Sequence, residues 1–239
     1  MEKIQAVLFD LGNTLSRSAS LSESMAGLIG SPIAQRLNLG RQQLHKIGVE
    51  IDQQMSDLYR VERPDQPDWR YVWNTGIKNA GLNLSSDEVE HFCRAHLSEF
   101  MKNCEVEPYS VPLLKKIRNA NIPLGLVSNV TGPVEIFEKD FLEKGLAVFF
   151  QTIVWSSGVG YRKPNPKIFQ IALDNLNQVS GKHIIMVGDN EMADIIGGKN
   201  MGFTTVKVDD NQEKSESVAA YVVLRSELEE LFEKELIRR

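Results

Sequence analysis

Short apolar runs alternate with amphipathic ones along most of this chain. Ile4 to Phe9 is almost continuously apolar and stops at Asp10, Gly12 and Asn13, the pattern of a strand entering a tight turn. Ile122 to Val127 stops at Ser128-Asn129, and Thr152 to Trp155 at Ser156-Ser157-Gly158. His183 to Val187 stops at Gly188-Asp189-Asn190, and Phe203 to Val208 at Asp209-Asp210. Between these runs apolar residues recur at helical spacing: Leu113, Leu114, Ile117 and Ala120; Ile136, Phe137 and Phe141; Ile168, Ile171, Ala172 and Leu176; Met192, Ile195, Ile196 and Met201. Near-continuous apolar strands separated by helices predict an α/β fold, a doubly wound parallel sheet covered on both faces.

Residues 16–106 do not follow that alternation. They are rich in Gln, Glu and Ser and hold no β-branched run. Leu37, Leu44 and Ile47, then Ile51, Met55 and Leu58, then Val72, Ile77 and Ala80, then Val89, Phe92 and Leu97 repeat at helical spacing. The stretch reads as a helical insertion, 16–106, in an α/β core made of 1–15 and 107–239. Val61 to Asp68, with prolines at 64 and 67, should break the insertion in two. Trp69 and Trp73 fit either the insertion's own core or a substrate contact. At the C-terminus Leu228, Leu231, Phe232 and Leu236 share one face of a single amphipathic helix over 225–239, which should pack on the core.

The chain has 239 residues, 42 % of them apolar and 25 % charged, which is ordinary globular usage. Lys plus Arg is 27 and Asp plus Glu is 32, a net charge of −5 that argues against a nucleic-acid binder. The opening Met1-Glu2-Lys3-Ile4 does not resemble a secretory signal, and the most apolar stretch, Leu146 to Trp155, is far short of the roughly 20 residues a membrane span needs. Cys93 and Cys104 have neither metal nor redox spacing and read as reduced thiols of a cytoplasmic protein. His45, His91, His96 and His183 also lack metal spacing. Oligomeric state is open.

In an open α/β sheet, ligands bind beyond the carboxyl ends of the strands. The residues placed there are Asp10, Ser128, Asn129 and Asp189, with Lys163 in the connection after the third run. Two carboxylates with a few further oxygens suit Mg²⁺. An ammonium, a hydroxyl and backbone N–H groups suit phosphate. A carboxylate facing a metal-bound phosphate can serve as nucleophile.

These segments resemble the haloacid dehalogenase-like (HAD) superfamily. Ala6 to Leu15, AVLFDLGNTL, is similar to its first motif and Leu126-Val127-Ser128-Asn129 to its second. Gly160 to Pro166, GYRKPNP, is similar to the third and Val187 to Asp194, VGDNEMAD, to the fourth. They occur in family order and span the chain. The resemblance implies a Rossmann-like HAD core with a mobile helical cap, hinged near Ser16 to Ser20 and Glu105 to Pro108. It implies Asp10 as nucleophile, with Asp10, the backbone carbonyl of Gly12 and Asp189 as Mg²⁺ ligands. Ser128 and Asn129 would hold phosphoryl oxygens by side chain and backbone, and Lys163 would neutralise charge between Asp10 and the phosphate. Thr14 would steady the first loop, and Asp194 would be an acid behind the metal site. The implied partner is a small phosphorylated substrate.

One position departs from the pattern. Phosphatases of this superfamily usually carry an acid–base aspartate two residues after the nucleophile, and here that position is Gly12. Losing such a group typically costs about 10²–10⁴-fold. Asn13 follows where glycine is usual, and Asn tolerates a left-handed backbone. Three readings result. The first is a Mg²⁺ phosphatase in which another group, Glu191 or a cap residue, or a water does the acid–base work, with a bias towards substrates that have stable leaving groups. The second is a phosphate-ligand binder without turnover. The third is a dehalogenase, which a metal-site acid at 189 disfavours.

Overall fold

The structure is a computed structural model and describes residues 4–60, 65–178, 181–210 and 216–236. Strand β1 (Ala6–Phe9) leads to a two-residue strand β2 (Ser16–Arg17). Five helices follow: α1 (Leu21–Ala26), α2 (Pro32–Arg36), α3 (Arg41–Arg60), α4 (Trp69–Asn79) and α5 (Ser86–Asn103). Strand β3 (Glu105–Val106) pairs antiparallel with β2. The chain then alternates through α6 (Ser110–Asn119), β4 (Leu124–Ser128), α7 (Val134–Glu143), β5 (Thr152–Trp155), α8 (Ser156–Val159), α9 (Pro166–Asn175) and β6 (Ile184–Gly188). After a π-helical turn over Glu191–Ile196 come α10 (Gly197–Asn200), β7 (Thr204–Asp209), β8 (Tyr221–Leu224) and α11 (Leu228–Leu231).

The main sheet has the order β5-β4-β1-β6-β7-β8, and every neighbouring pair is parallel. That is the doubly wound order, with its switch point between β1 and β6. β1 is buried throughout, and its alternate residues serve two cores. Val7 and Phe9 join one with Leu113, Ile117 and Phe232; Ala6 and Leu8 join the other with Ile168, Phe169 and Ala172. Phe9 lies opposite Leu126 on one side and Val187 on the other, so three strands end together.

The insertion's helices start on local signals. Ser85 and Glu88 form a capping box for α5, and Asp68 caps α4 by accepting from the Arg70 N–H. The expected break between α3 and α4 is present, although residues 61–64 lie outside the described ones. Trp69 and Trp73 are both buried, and the Trp73 indole donates to the Thr131 carbonyl at 3.1 Å, tying α4 to the loop after β4. The β2–β3 ribbon carries both crossings of the insertion. Ser16 Oγ donates to the Glu105 carbonyl, and the Glu107 N–H to the Leu15 carbonyl.

The C-terminal segment differs from the single helix expected. A 3₁₀ turn (Arg225–Glu227), α11 and a π-helical turn (Phe232–Leu236) follow one another. Leu228, Leu231 and Phe232 are buried against the core as the pattern predicts, whereas the Leu236 side chain and residues 237–239 lie outside the described ones. The Phe232 ring stacks on Phe9, the residue before Asp10, with centroids 6.2 Å apart. Phe232→Ala should therefore destabilise the fold by about 3–5 kcal/mol, read as a fall in the urea midpoint.

Candidate active site

Three strand ends and one loop build the site. Asp10 follows β1, and its backbone N–H donates to the Val187 carbonyl of β6 at 2.9 Å. Asn13 takes the left-handed backbone, φ 52°, that the first loop requires. Thr14 is fully buried; its N–H closes the turn onto the Leu11 carbonyl, and its own carbonyl accepts from the Tyr109 hydroxyl. Thr14 does not line the cleft.

Lys163 arrives from the connection between α8 and α9. Its backbone is clasped by Asn129, whose amide donates to the Lys163 carbonyl at 3.0 Å and accepts from the Lys163 N–H at 2.8 Å. The Asn129 side chain is thus engaged with the lysine loop. The Lys163 ammonium is buried between two carboxylates, 2.7 Å from Asp10 Oδ1 and 2.6 Å from Asp194 Oδ1. Asp194 reaches it from the π-helical turn because Gly188 has no side chain. A Cβ on Gly188 would stand 2.3 Å from the Asp194 carboxylate. The second Asp194 oxygen accepts from the Asn190 N–H at 3.0 Å.

Asp10, Asp189 and Asp194 each present a carboxylate oxygen within 4.8 Å of the others. Burial, and then the charges of Asp10 and Asp194, raise the Asp189 carboxyl to about 7 against the opposing pull of Lys163. Burial also raises Asp194, although Lys163 opposes it. For Lys163, burial alone would lower the pKa, but the Asp10 and Asp194 charges reverse that and hold it above its ordinary value. Three carboxylates and one ammonium leave an excess of negative charge among hard oxygen donors. That donor set fits a divalent cation such as Mg²⁺.

These groups line one wall of a cleft of about 470 Å³, with Gly12, Ser128 and Asn129 beside them. The insertion faces them with a mostly apolar wall of Met55, Leu97, Phe100 and Met101. Sequence reasoning did not place those four, nor Ser18 and Asp52, in the site; helical periodicity marks a buried face but not what it is buried against. Glu191 does not lie in the cleft. Its carboxylate pairs with Lys207 at 3.1 Å and accepts from the Val218 N–H at 3.0 Å.

The haloacid dehalogenase-like hydrolase family matches residues 4–202. The chain belongs to that family. A glyceraldehyde 3-phosphate phosphatase of Pyrococcus furiosus is 28% identical over 86% of this chain and 81% of its own length. A pyrimidine 5′-nucleotidase of Escherichia coli is 32% identical over 57% of this chain and 61% of its own. The solved structure of a HAD phosphatase from Thermococcus onnurineus shares the fold, with a TM-score of 0.65 and 23% identity over 97% of this chain and 99% of that one. The chain is thus a HAD-like hydrolase with the family's Rossmann-like core. Among the described residues no helix is long and apolar enough to cross a membrane.

The raised Asp189 carboxyl has a consequence for stability. Its unfolded pKa is about 3.9, so between about 4 and 7 the folded chain holds more protons than the unfolded one. Stability from this group is complete below about 4 and is lost as pH rises through about 7. In metal-free protein, Asp189→Asn should raise the melting temperature at pH 8 and gain little at pH 4, as read by thermal melts at both values.

Proposed function

We propose that this chain is a Mg²⁺-dependent phosphatase that hydrolyses a small phosphorylated metabolite through an aspartyl-phosphate on Asp10. The observation that carries this reading is the buried Lys163 ammonium bridging Asp10 and Asp194, with Asp189 beside them. A metal–phosphate site uses such a third acid, whereas carbon–halogen displacement has no need of it. The phosphatase relatives support the reaction class.

Asp10, the Gly12 carbonyl and Asp189 would hold the ion, which when bound supplies positive charge beside the phosphoryl oxygens. An Asp10 carboxylate oxygen attacks phosphorus, and the bond to the leaving oxygen breaks. Lys163 offsets charge on Asp10 and the phosphoryl group. Ser128 Oγ and the Asn129 backbone N–H donate to phosphoryl oxygens. Water then displaces Asp10 from phosphorus. Asp194 keeps the ammonium charged and in place, and Thr14 keeps the loop closed.

Residues 1–15 and 107–239 form the catalytic core in this reading, and 16–106 form a cap that keeps bulk water out. The buried, free Cys93 and Cys104 are consistent with a cytoplasmic location. Mg²⁺ should raise the melting temperature, and the Mg²⁺-loaded chain should hydrolyse p-nitrophenyl phosphate. Asp10→Asn should fold normally and lose turnover by a factor on the order of 10⁴ or more. Turnover unchanged in Asp10→Asn would overturn the reading.

A further inference from the structure

The charged wall of the cleft faces an apolar one. Met55 of α3 and Leu97, Phe100 and Met101 of α5 form it, and Val130 and Phe137 add to it from the core. Leu97, Met101, Val130 and Phe137 are buried, and Met55 and Phe100 pack against the same apolar cluster. Insertion and core meet beside it through apolar atoms. A Cβ on Gly132 would overlap Leu97 Cδ1 and stand 3.4 Å from the Phe137 ring, so α5 packs directly on the loop after β4.

The charges of the cleft are distributed just as unevenly. Among the described residues that line it, Lys163 is the one cation, and both Asp10 and Asp194 are already on its ammonium. The ionisable side chains that the insertion adds to the lining are an acid, Asp52, and a thiol, Cys104, whose pKa burial pushes up. A phosphate bound among the core groups therefore has its leaving group against apolar side chains. A carboxylate or a second phosphate on that leaving group would meet no cation there, and burying an unpaired charge is costly. An apolar group gains from the same burial.

We propose that the leaving group of the substrate is an uncharged aromatic ring, so that the chain prefers aryl phosphates to phosphate esters carrying a second negative charge. The inference rests on the phosphatase reading and adds a substrate class to it. Two observations favour a ring over an aliphatic group. Phe100 and Phe137 offer aromatic partners, and Met55 and Met101 offer thioethers, which pack well against ring edges. Position 12 is glycine, and Ser18 Oγ stands 2.9 Å from where its Cβ would be, so a hydroxyl rather than a carboxyl occupies that space. A phenol oxygen departs with its charge delocalised into the ring and needs less protonation than an alkyl oxygen.

The test measures kcat/KM with Mg²⁺ present on three esters: phenyl phosphate, 4-carboxyphenyl phosphate and glycerol 2-phosphate. The first two share a ring and differ by one charge. Phenyl phosphate should exceed the carboxylated ester about 10–10²-fold, and glycerol 2-phosphate by at least as much. Met55→Lys, which places an ammonium in the apolar wall on a side chain of similar length, should narrow the gap between the two aryl esters about tenfold. Phe100→Ala should raise KM for phenyl phosphate about tenfold and leave inhibition by inorganic phosphate unchanged, since the ring's wall is lost and the phosphate's is not. Equal or faster turnover of the carboxylated ester or of glycerol 2-phosphate would overturn the proposal. So would a Phe100→Ala chain whose KM for phenyl phosphate stays put, or whose phosphate inhibition weakens in step with KM. If none of the three esters is hydrolysed, the phosphatase reading fails and this inference with it; if glycerol 2-phosphate is hydrolysed at least as well as phenyl phosphate, only this inference fails.

Discussion

The site depends on one buried ammonium. Lys163 sits between Asp10 and Asp194, each within 2.7 Å, and its side chain is 1% exposed. Burying charge is expensive, and a pair taken out of water stays ionised only where geometry and further hydrogen bonds compensate. Here they do. Asp194 also receives the Asn190 N–H, and Asn129 holds the lysine's backbone with two bonds. The compensation is nonetheless incomplete, because Asp189 adds a third carboxylate within 4.8 Å that has no ammonium of its own. Burial, and then the charges of Asp10 and Asp194, raise its pKa, and a divalent cation is a group that would offset that charge.

Strand order makes this convergence possible. Asp10 and Asp189 follow β1 and β6, the two strands that flank the switch point, where the connections diverge to opposite faces and leave a crevice. Ser128 ends β4, on the other side of β1. Residues more than a hundred positions apart thus meet over a few ångströms. Lys163 belongs to none of these strands. Its position is set by Asn129, one residue past β4, so the second motif places the third.

What was legible in the sequence follows the range of the interactions involved. The five buried parallel strands were readable because each is a near-continuous apolar run, broken in β7 by Lys207, and ended by a turn residue, as at Phe9–Asp10 and Val187–Gly188. Strand β8 was not, since Tyr221–Leu224 is a half-buried edge strand next to a polar stretch. β2 and β3 have two residues each, too few for any period, and exist through bonds between positions about 90 apart. Helices α1 and α2 have six and five residues and are separated by Gly27 and Gly30, with Pro32 opening α2, so no period is long enough to read. The acids at 10, 189 and 194 could be found from motif and strand-end position. The direction of Glu191 could not, because its partners Lys207 and Val218 come from later parts of the chain.

The insertion shows how a weakly held wall can still govern a strongly held centre. Apart from packing, its attachments to the core include the Trp73 indole on the Thr131 carbonyl, the Arg94–Glu135 ion pair and the Gln66 N–H on the Gly160 carbonyl. A net hydrogen bond contributes about 1 kcal/mol and an exposed ion pair no more than about that. Each such attachment is weak by itself. The wall they position is mostly apolar, so covering the cleft lowers the local dielectric and strengthens every charge interaction around Lys163. The helix that carries part of that wall, α3, buries Leu44, Ile47 and Ile51 in the same apolar cluster as Val7 and Phe9 of β1. The buried charged cluster is instead fixed from the core alone, by strand ends and by the loop that Asn129 clasps.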